Sequence, residues 1–223
     1  MLEKSLLIFF SSLKHGIIND KTAMIFSCHR INTIKQLKKI PKYNGVEIDL
    51  RDHNEEIIIQ HDPFKKGLKF STFLSFYHHK FLILNIKSEG IEYKVLKILK
   101  FYKIKKYFFL DSSFPMIVNL IKKKEKNIAL RFSDLESIET IKNFRYMVDW
   151  VWLDCFKKIP LDVKIYKLLR KYKYKICLVS PELHGRRVKN ERAINLIKQK
   201  KINIDMLCTK IKFFNAWKKR LSL

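Results

Sequence analysis

The chain has 223 residues, enough for one large domain or two small ones, and its 47% hydrophobic content excludes a disordered polypeptide. Five glycines and five prolines leave little material for flexible linkers. With 47 Lys and Arg against 21 Asp and Glu, a formal charge of +26, the favoured partners are anions: phosphorylated substrates, an acidic membrane surface or nucleic acid.

The N-terminal MLEKSLLIFFSSLKHG has an apolar core too short for a membrane span and lacks a clean small-x-small cleavage site. Residues 5–15 are expected to form a helix within a capping region, 1–23. From there, short β-branched or aromatic runs alternate with amphipathic ones. MIFSC (24–28) reads as the first strand and NTIKQLKKI as a helix after it. GVEIDLRDHNEEIIIQHDPF (45–64) interrupts the alternation: it reads as a strand, a polar turn and an antiparallel return strand. Then come FLILNIK (81–87), YFFLDS (107–112), IALRFS (128–133), VWLDC (151–155), ICLVS (176–180) and MLCTK (206–210) as strands. Helical runs such as EYKVLKILKFYK, PMIVNLIKKKEK, ESIETIKNF, LDVKIYKLLRKYK and ERAINLIKQKK lie between them. Residues 212–223 read as a basic tail.

Parallel strands need crossover helices, so eight strands alternating with helices predict an α/β fold, a single-domain (β/α)8 barrel of the TIM type over 24–211. A doubly wound open sheet is the rival, but no glycine-rich phosphate loop follows the first strand. In a barrel the C-terminal strand ends form one rim. Polar residues recur there: His29 and Arg30, Glu47 and Asp49, Asn85 and Lys87, Asp111, Arg131, Asp154 and Glu182.

Glu47 and Asp49 are two apart in a strand, so both carboxylates share one face while Val46, Ile48 and Leu50 take the other. Paired carboxylates in a barrel interior repel unless a cation neutralises them, and all-oxygen ligands suit Mg2+ or Ca2+. A strand with one wet face would show the same spacing. His29 and His61 end the first strand and the return strand, where a facing pair could share acid and base roles. Five further histidines show how little one alone signifies. Arg30 and Lys87 add positive charge suited to phosphate oxygens. The four cysteines, Cys28, Cys155, Cys177 and Cys208, have no metal-type spacing and read as reduced residues, most within apolar runs.

The ordered set HR (29–30), VEIDLR (46–51), IIIQHDPF (57–64) and LNIK (84–87) resembles the glycerophosphodiester phosphodiesterases, as a compact variant among the phospholipase-C-like phosphodiesterase barrels. The resemblance covers roughly residues 24–90. It implies metal-dependent phosphodiester hydrolysis on a glycerophosphodiester or a related lipid or glycan head group. His29 and His61 would be the acid/base pair, Glu47, Asp49 and Asn85 the metal site, and Arg30 and Lys87 the phosphate contacts. In the implied mechanism a hydroxyl of the substrate's own glycerol attacks phosphorus, and water later opens the cyclic phosphate. Three departures stand out. Ile31 replaces the glycine after HR, with the Glu-Asn-Thr motif shortened to INT (31–33); the small insertion many members carry between His61 and Ile86 is mostly absent; and Asn85 replaces a glutamate ligand. Glu89, on the same alternation, is a substitute ligand if the strand runs that far.

Two other readings compete. A barrel that binds phosphorylated ligands without turnover is favoured by the lost glutamate. A nucleic-acid-binding protein is suggested by the charge, but no helix-turn-helix, zinc or RNA-binding signature supports it. The lysines are also scattered, and A/T-rich coding would yield the same lysine surplus without selection for charge. A cytoplasmic location is expected, with peripheral contact to an anionic membrane as a further option.

Overall fold

The computed structural model describes residues 24–185, 191–199 and 201–221; the expected N-terminal helix lies outside them. Strands β1 (Ile25–Cys28), β2 (Gly45–His53), β5 (Phe81–Ile86), β6 (Tyr107–Leu110), β7 (Ala129–Phe132), β8 (Trp150–Leu153), β9 (Lys175–Val179) and β10 (Met206–Thr209) are parallel neighbours in succession. β10 pairs back onto β1, with Ile25 opposite Met206 and Cys28 opposite Thr209. Ladders join the neighbours at every junction except that between β6 and β7. There, a single parallel bridge links Phe109 to Ile128, and the Phe109 N–H donates to the Asn127 carbonyl at 2.8 Å. The eight strands therefore run round in a ring with one thin seam, as the alternation of runs predicts.

Two apolar layers explain why the ring is stable. One fills the barrel: Phe81 and Ile83 of β5, Phe108 and Leu110 of β6, Trp150 and Trp152 of β8, and Met206 and Cys208 of β10 pack together. Outward-facing residues of the strands, among them Val46, Ile48 and Leu50 of β2, Leu82 and Leu84 of β5 and Phe109 of β6, pack against the helices. Full burial of each such side chain contributes about 1.5–3 kcal/mol.

The helices are α1 (Ile34–Leu37), α2 (Phe70–Leu74), α3 (Glu92–Phe101), α4 (Phe114–Lys122), α5 (Ile138–Asn143), α6 (Val163–Lys171), α7 (Glu191–Lys198) and α8 (Phe214–Leu221). Local sequence starts several of them. Thr33 and Gln36 form a reciprocal capping box at α1, Ser113 caps α4, and the Asp162 carboxylate accepts from the Ile165 N–H at 2.8 Å to cap α6. The segment expected as a basic tail is instead α8. Its Phe214, Trp217 and Leu221 are buried three and four residues apart, and the lysines occupy the other face.

The predicted return strand is present. β3 (Glu56–Ile59) pairs antiparallel with β2, Leu50 opposite Ile59, through a turn in which Asn54 and Glu55 both have positive φ. A two-residue strand β4 (Leu68–Lys69) then pairs with β3 and leads into α2. The hairpin returns the chain at His61 to the strand end from which it left.

Candidate active site

Inward alternation, continued to the top of each strand, puts polar groups where the apolar filling ends. On β2 it places Glu47 and Asp49 inside the barrel, both buried; on β5 it places Asn85 directly opposite Asp49 in register. His29 follows Ile25 and Ser27 on β1, and Lys87 follows Ile83 and Asn85 past the end of β5. Six of the seven predicted residues meet here. The Asn85 amide donates to Glu47 Oε1 at 2.9 Å, and His29 Nε2 lies 3.8 Å from Glu47 Oε2. Arg30 Nε is 3.5 Å from Asp49 Oδ2, and Lys87 Nζ is 3.8 Å from Asp49 Oδ1. Arg30 has a left-handed backbone, φ 55°, and its N–H donates to Glu47 Oε2. That conformation costs about 1 kcal/mol or more outside glycine.

The seventh residue, His61, joins through the backbone. The Gln60 N–H donates to the Asp49 carbonyl at 3.0 Å. The Arg51 guanidinium donates to the His61 carbonyl at 3.0 Å and to the Lys87 carbonyl at 2.7 Å, tying the hairpin to β5. The His61 side chain itself pairs through Nδ1 with Asp62 Oδ1 at 2.8 Å and is partly exposed.

The electrostatics divide the two histidines. Burial, assisted by the positive charge of Arg30, lowers the His29 pKa to about 4, so its ring is neutral at pH 7. Burial and the neighbouring Asp49 charge raise Glu47 to about 7. Asp62, hydrogen-bonded to His61 and Lys65, is lowered to about 2.

Sequence reading gave no role to three residues that hold the site. Asn32 grips Asp49 from both sides: its Nδ2 donates to Asp49 Oδ2 at 2.8 Å, and its Oδ1 accepts the Asp49 N–H at 3.0 Å. The signal was its place in INT beside the strand end. Arg51 shares the alternation of Glu47 and Asp49, which was the available clue. His184 bonds Asp154 Oδ1 through Nε2 at 2.5 Å, and no spacing announced it. Arg131 bridges this Asp154 to Asp111, whose other oxygen lies 3.5 Å from Lys87 Nζ. One chain of alternating charge thus crosses the rim from Asp49 to His184.

A cation site has two carboxylates and one amide here. Among the described residues no group of three or more His, Cys, Asp or Glu side chains is gathered for a metal. Asp49 Oδ1 and Asn85 Oδ1 are nevertheless buried oxygens without a hydrogen-bond partner, on residues opposite each other in register. That donor set fits a hard divalent ion. Glu89 does not join it: β5 stops at Ile86, and the exposed Glu89 carboxylate accepts from Ser113 Oγ at 2.5 Å. The four cysteines are free and buried, with their thiol pKa values raised, so none is a ready nucleophile.

No protein-family model and no curated protein matches the chain. Solved structures do. The glycerophosphodiester phosphodiesterase of Agrobacterium tumefaciens superposes with a TM-score of 0.60 at 12% identity, covering 88% of this chain and 100% of that one. The glycerophosphoryl diester phosphodiesterase of Parabacteroides distasonis gives 0.59 at 11%, covering 91% and 87%. A chain from Galdieria sulphuraria gives 0.64 at 12%, covering 90% and 98%. The fold is that of the glycerophosphodiester phosphodiesterases. Within this glycerophosphodiester phosphodiesterase fold the convergent residues occupy the C-terminal strand ends, the face on which barrel enzymes carry their reaction sites. Among the described residues no helix is long and apolar enough to cross a membrane.

Proposed function

We propose that the chain hydrolyses phosphodiesters at this rim, with a glycerophosphodiester or a related lipid or glycan head group as substrate. The observation that carries the reading is the juxtaposition of a neutral, partly buried histidine, two cations and a carboxylate–amide oxygen pair at one barrel mouth. Lys87 and Arg30 attract and orient the phosphate oxygens. His29 is unprotonated at neutral pH and accepts the proton of the attacking hydroxyl as its oxygen bonds to phosphorus. His61, its Nδ1 paired with Asp62 Oδ1, protonates the departing alcohol as its P–O bond breaks. Glu47, Asp49 and the Asn85 amide oxygen would hold Mg2+ or Ca2+, which when bound offsets charge on the phosphoryl oxygens. Asn32 keeps Asp49 in place for this role.

Turnover of a panel of glycerophosphodiesters, with Mg2+, Ca2+ and chelator compared, tests the reading. Metal-dependent release of the alcohol, abolished by His61→Ala, is expected. A second reading, a barrel that binds phosphorylated ligands without turnover, draws on one specific feature. Both Glu47 oxygens already accept hydrogen bonds, one from the Asn85 amide and one from the Arg30 N–H. Unchanged ligand affinity in His61→Ala, with no hydrolysis by either protein under any cation, selects that alternative.

A further inference from the structure

Beside the rim lies a groove of about 580 Å3, within the ~300–1,000 Å3 usual for small-molecule sites. Its apolar walls are Ile34 at the start of α1, Ile59 of β3 and Leu68 of β4; Asn32, Gln60 and Lys66 complete it. Two of these residues reach the reaction centre directly. Asn32 is the residue that grips Asp49, and Gln60 immediately precedes His61 with its N–H on the Asp49 carbonyl. The groove therefore adjoins Asp49, the carboxylate that Arg30 and Lys87 flank.

The walls are built. Gln60 Nε2 donates to the Lys66 carbonyl at 2.9 Å, and Leu68 pairs with Ile59 across the short β3–β4 ladder. Gly67 permits this close approach: a Cβ there would lie 2.5 Å from the Ile59 carbonyl oxygen. Across the mouth, by contrast, Asp111, Arg131, Asp154 and His184 form a polar, ion-paired side.

We propose that this groove is the subsite for an aliphatic chain on the substrate, which makes the preferred ligand a single-chain phospholipid rather than a small water-soluble diester. The inference rests on the phosphodiesterase reading for its chemistry and on the groove for its specificity. The apolar walls are aliphatic and include no aromatic face, which suits methylenes and disfavours a base that would seek stacking. Each methylene buried there tightens binding about fourfold.

Titration calorimetry tests it with 1-palmitoyl lysophosphatidylcholine, kept below its critical micelle concentration, and sn-glycero-3-phosphocholine, each in chelator and in Mg2+. The wild-type chain is expected to bind the lysolipid at least tenfold more tightly. Leu68→Gln should cut that preference below about threefold without weakening glycerophosphocholine. Ile34→Gln, a second change in the groove wall, should likewise reduce the preference severalfold. Equal affinity for the two ligands, or a preference that neither variant changes, overturns the subsite. Hydrolysis of both ligands without any chain preference would remove the subsite and leave the phosphodiesterase reading standing. A chain preference lost in both variants, with no hydrolysis of either ligand, would support the subsite and remove the catalytic reading.

Discussion

In the proposed reaction, Asn85 is the residue on which cation affinity turns. An amide oxygen coordinates a hard cation but brings no charge, so the site holds two formal negative charges where a third carboxylate would give three. Asn85→Asp is expected to tighten Mg2+ or Ca2+ binding about tenfold, read by calorimetry, and to raise the cation-induced gain in thermal stability. His29 gives a second prediction at this scale. Its pKa is 6.5 when unperturbed and about 4 in the fold, so between those values the unfolded chain binds more protons. His29 therefore costs stability as pH falls from 6.5 to 4, in total on the order of 3 kcal/mol. Glu47 acts in the opposite sense between 4.5 and about 7, because its folded form holds the proton more tightly. The wild-type profile is thus flattened by two opposed contributions. His29→Gln removes one of them. In chelator, denaturant titrations should show the variant gaining stability relative to wild type on acidification from pH 7 to 4; parallel profiles would count against the buried neutral histidine.

At the scale of elements, the β2–β3 hairpin does the positioning. Its register, Leu50 opposite Ile59, is set by a turn with two positive φ residues and by buried Ile57 and Ile59. Arg51 then locks the open end by bonding the carbonyls of His61 and Lys87 at once. Arg51→Met removes both bonds and leaves the hairpin's packing in place. The expected outcome is a 10- to 100-fold fall in kcat with little change in circular dichroism, since small misplacements of an acid/base group cost rate steeply. Helix α8 is the other decisive element. Trp217 is wholly buried, and its indole N–H lies 3.3 Å from both Ser180 Oγ and Glu182 Oε2 after β9. Trp217→Ala should cost about 3–5 kcal/mol, measured by chemical denaturation, whereas a dispensable tail would show no effect.

At the scale of the molecule, the ring of eight strands turns scattered residues into one rim. The inward alternation begins on apolar or small residues low in each strand and ends on a polar one: His29, Asp49, Lys87, Arg131, Asp154. Burial below and solvent above account for that gradient. The same geometry segregates the mouth into a charged side, running from Asp111 to His184, and an aliphatic side along Ile34 and Leu68.

Local pattern alone determined much of this. Short β-branched and aromatic runs identified all eight barrel strands and the return strand, because strands buried on both faces read as near-continuous apolar segments. Helical periodicity found the helices that follow most of them. Ordered motifs likewise marked His29, Glu47, Asp49, His61 and Lys87, since chemistry-bearing residues sit at fixed offsets from strand ends. What the sequence could not show was anything that depends on distant segments meeting. Helix α8 was read as a basic tail because its lysines dominate composition, while burial of Trp217 exists only once the barrel offers it a surface. Asn32, Arg51 and His184 acquire roles only through partners 17, 36 and 30 residues away. The groove beside His61 belongs to the same class: its walls come from three separate elements, and the pairing of β2 with both β1 and β3 brings them together.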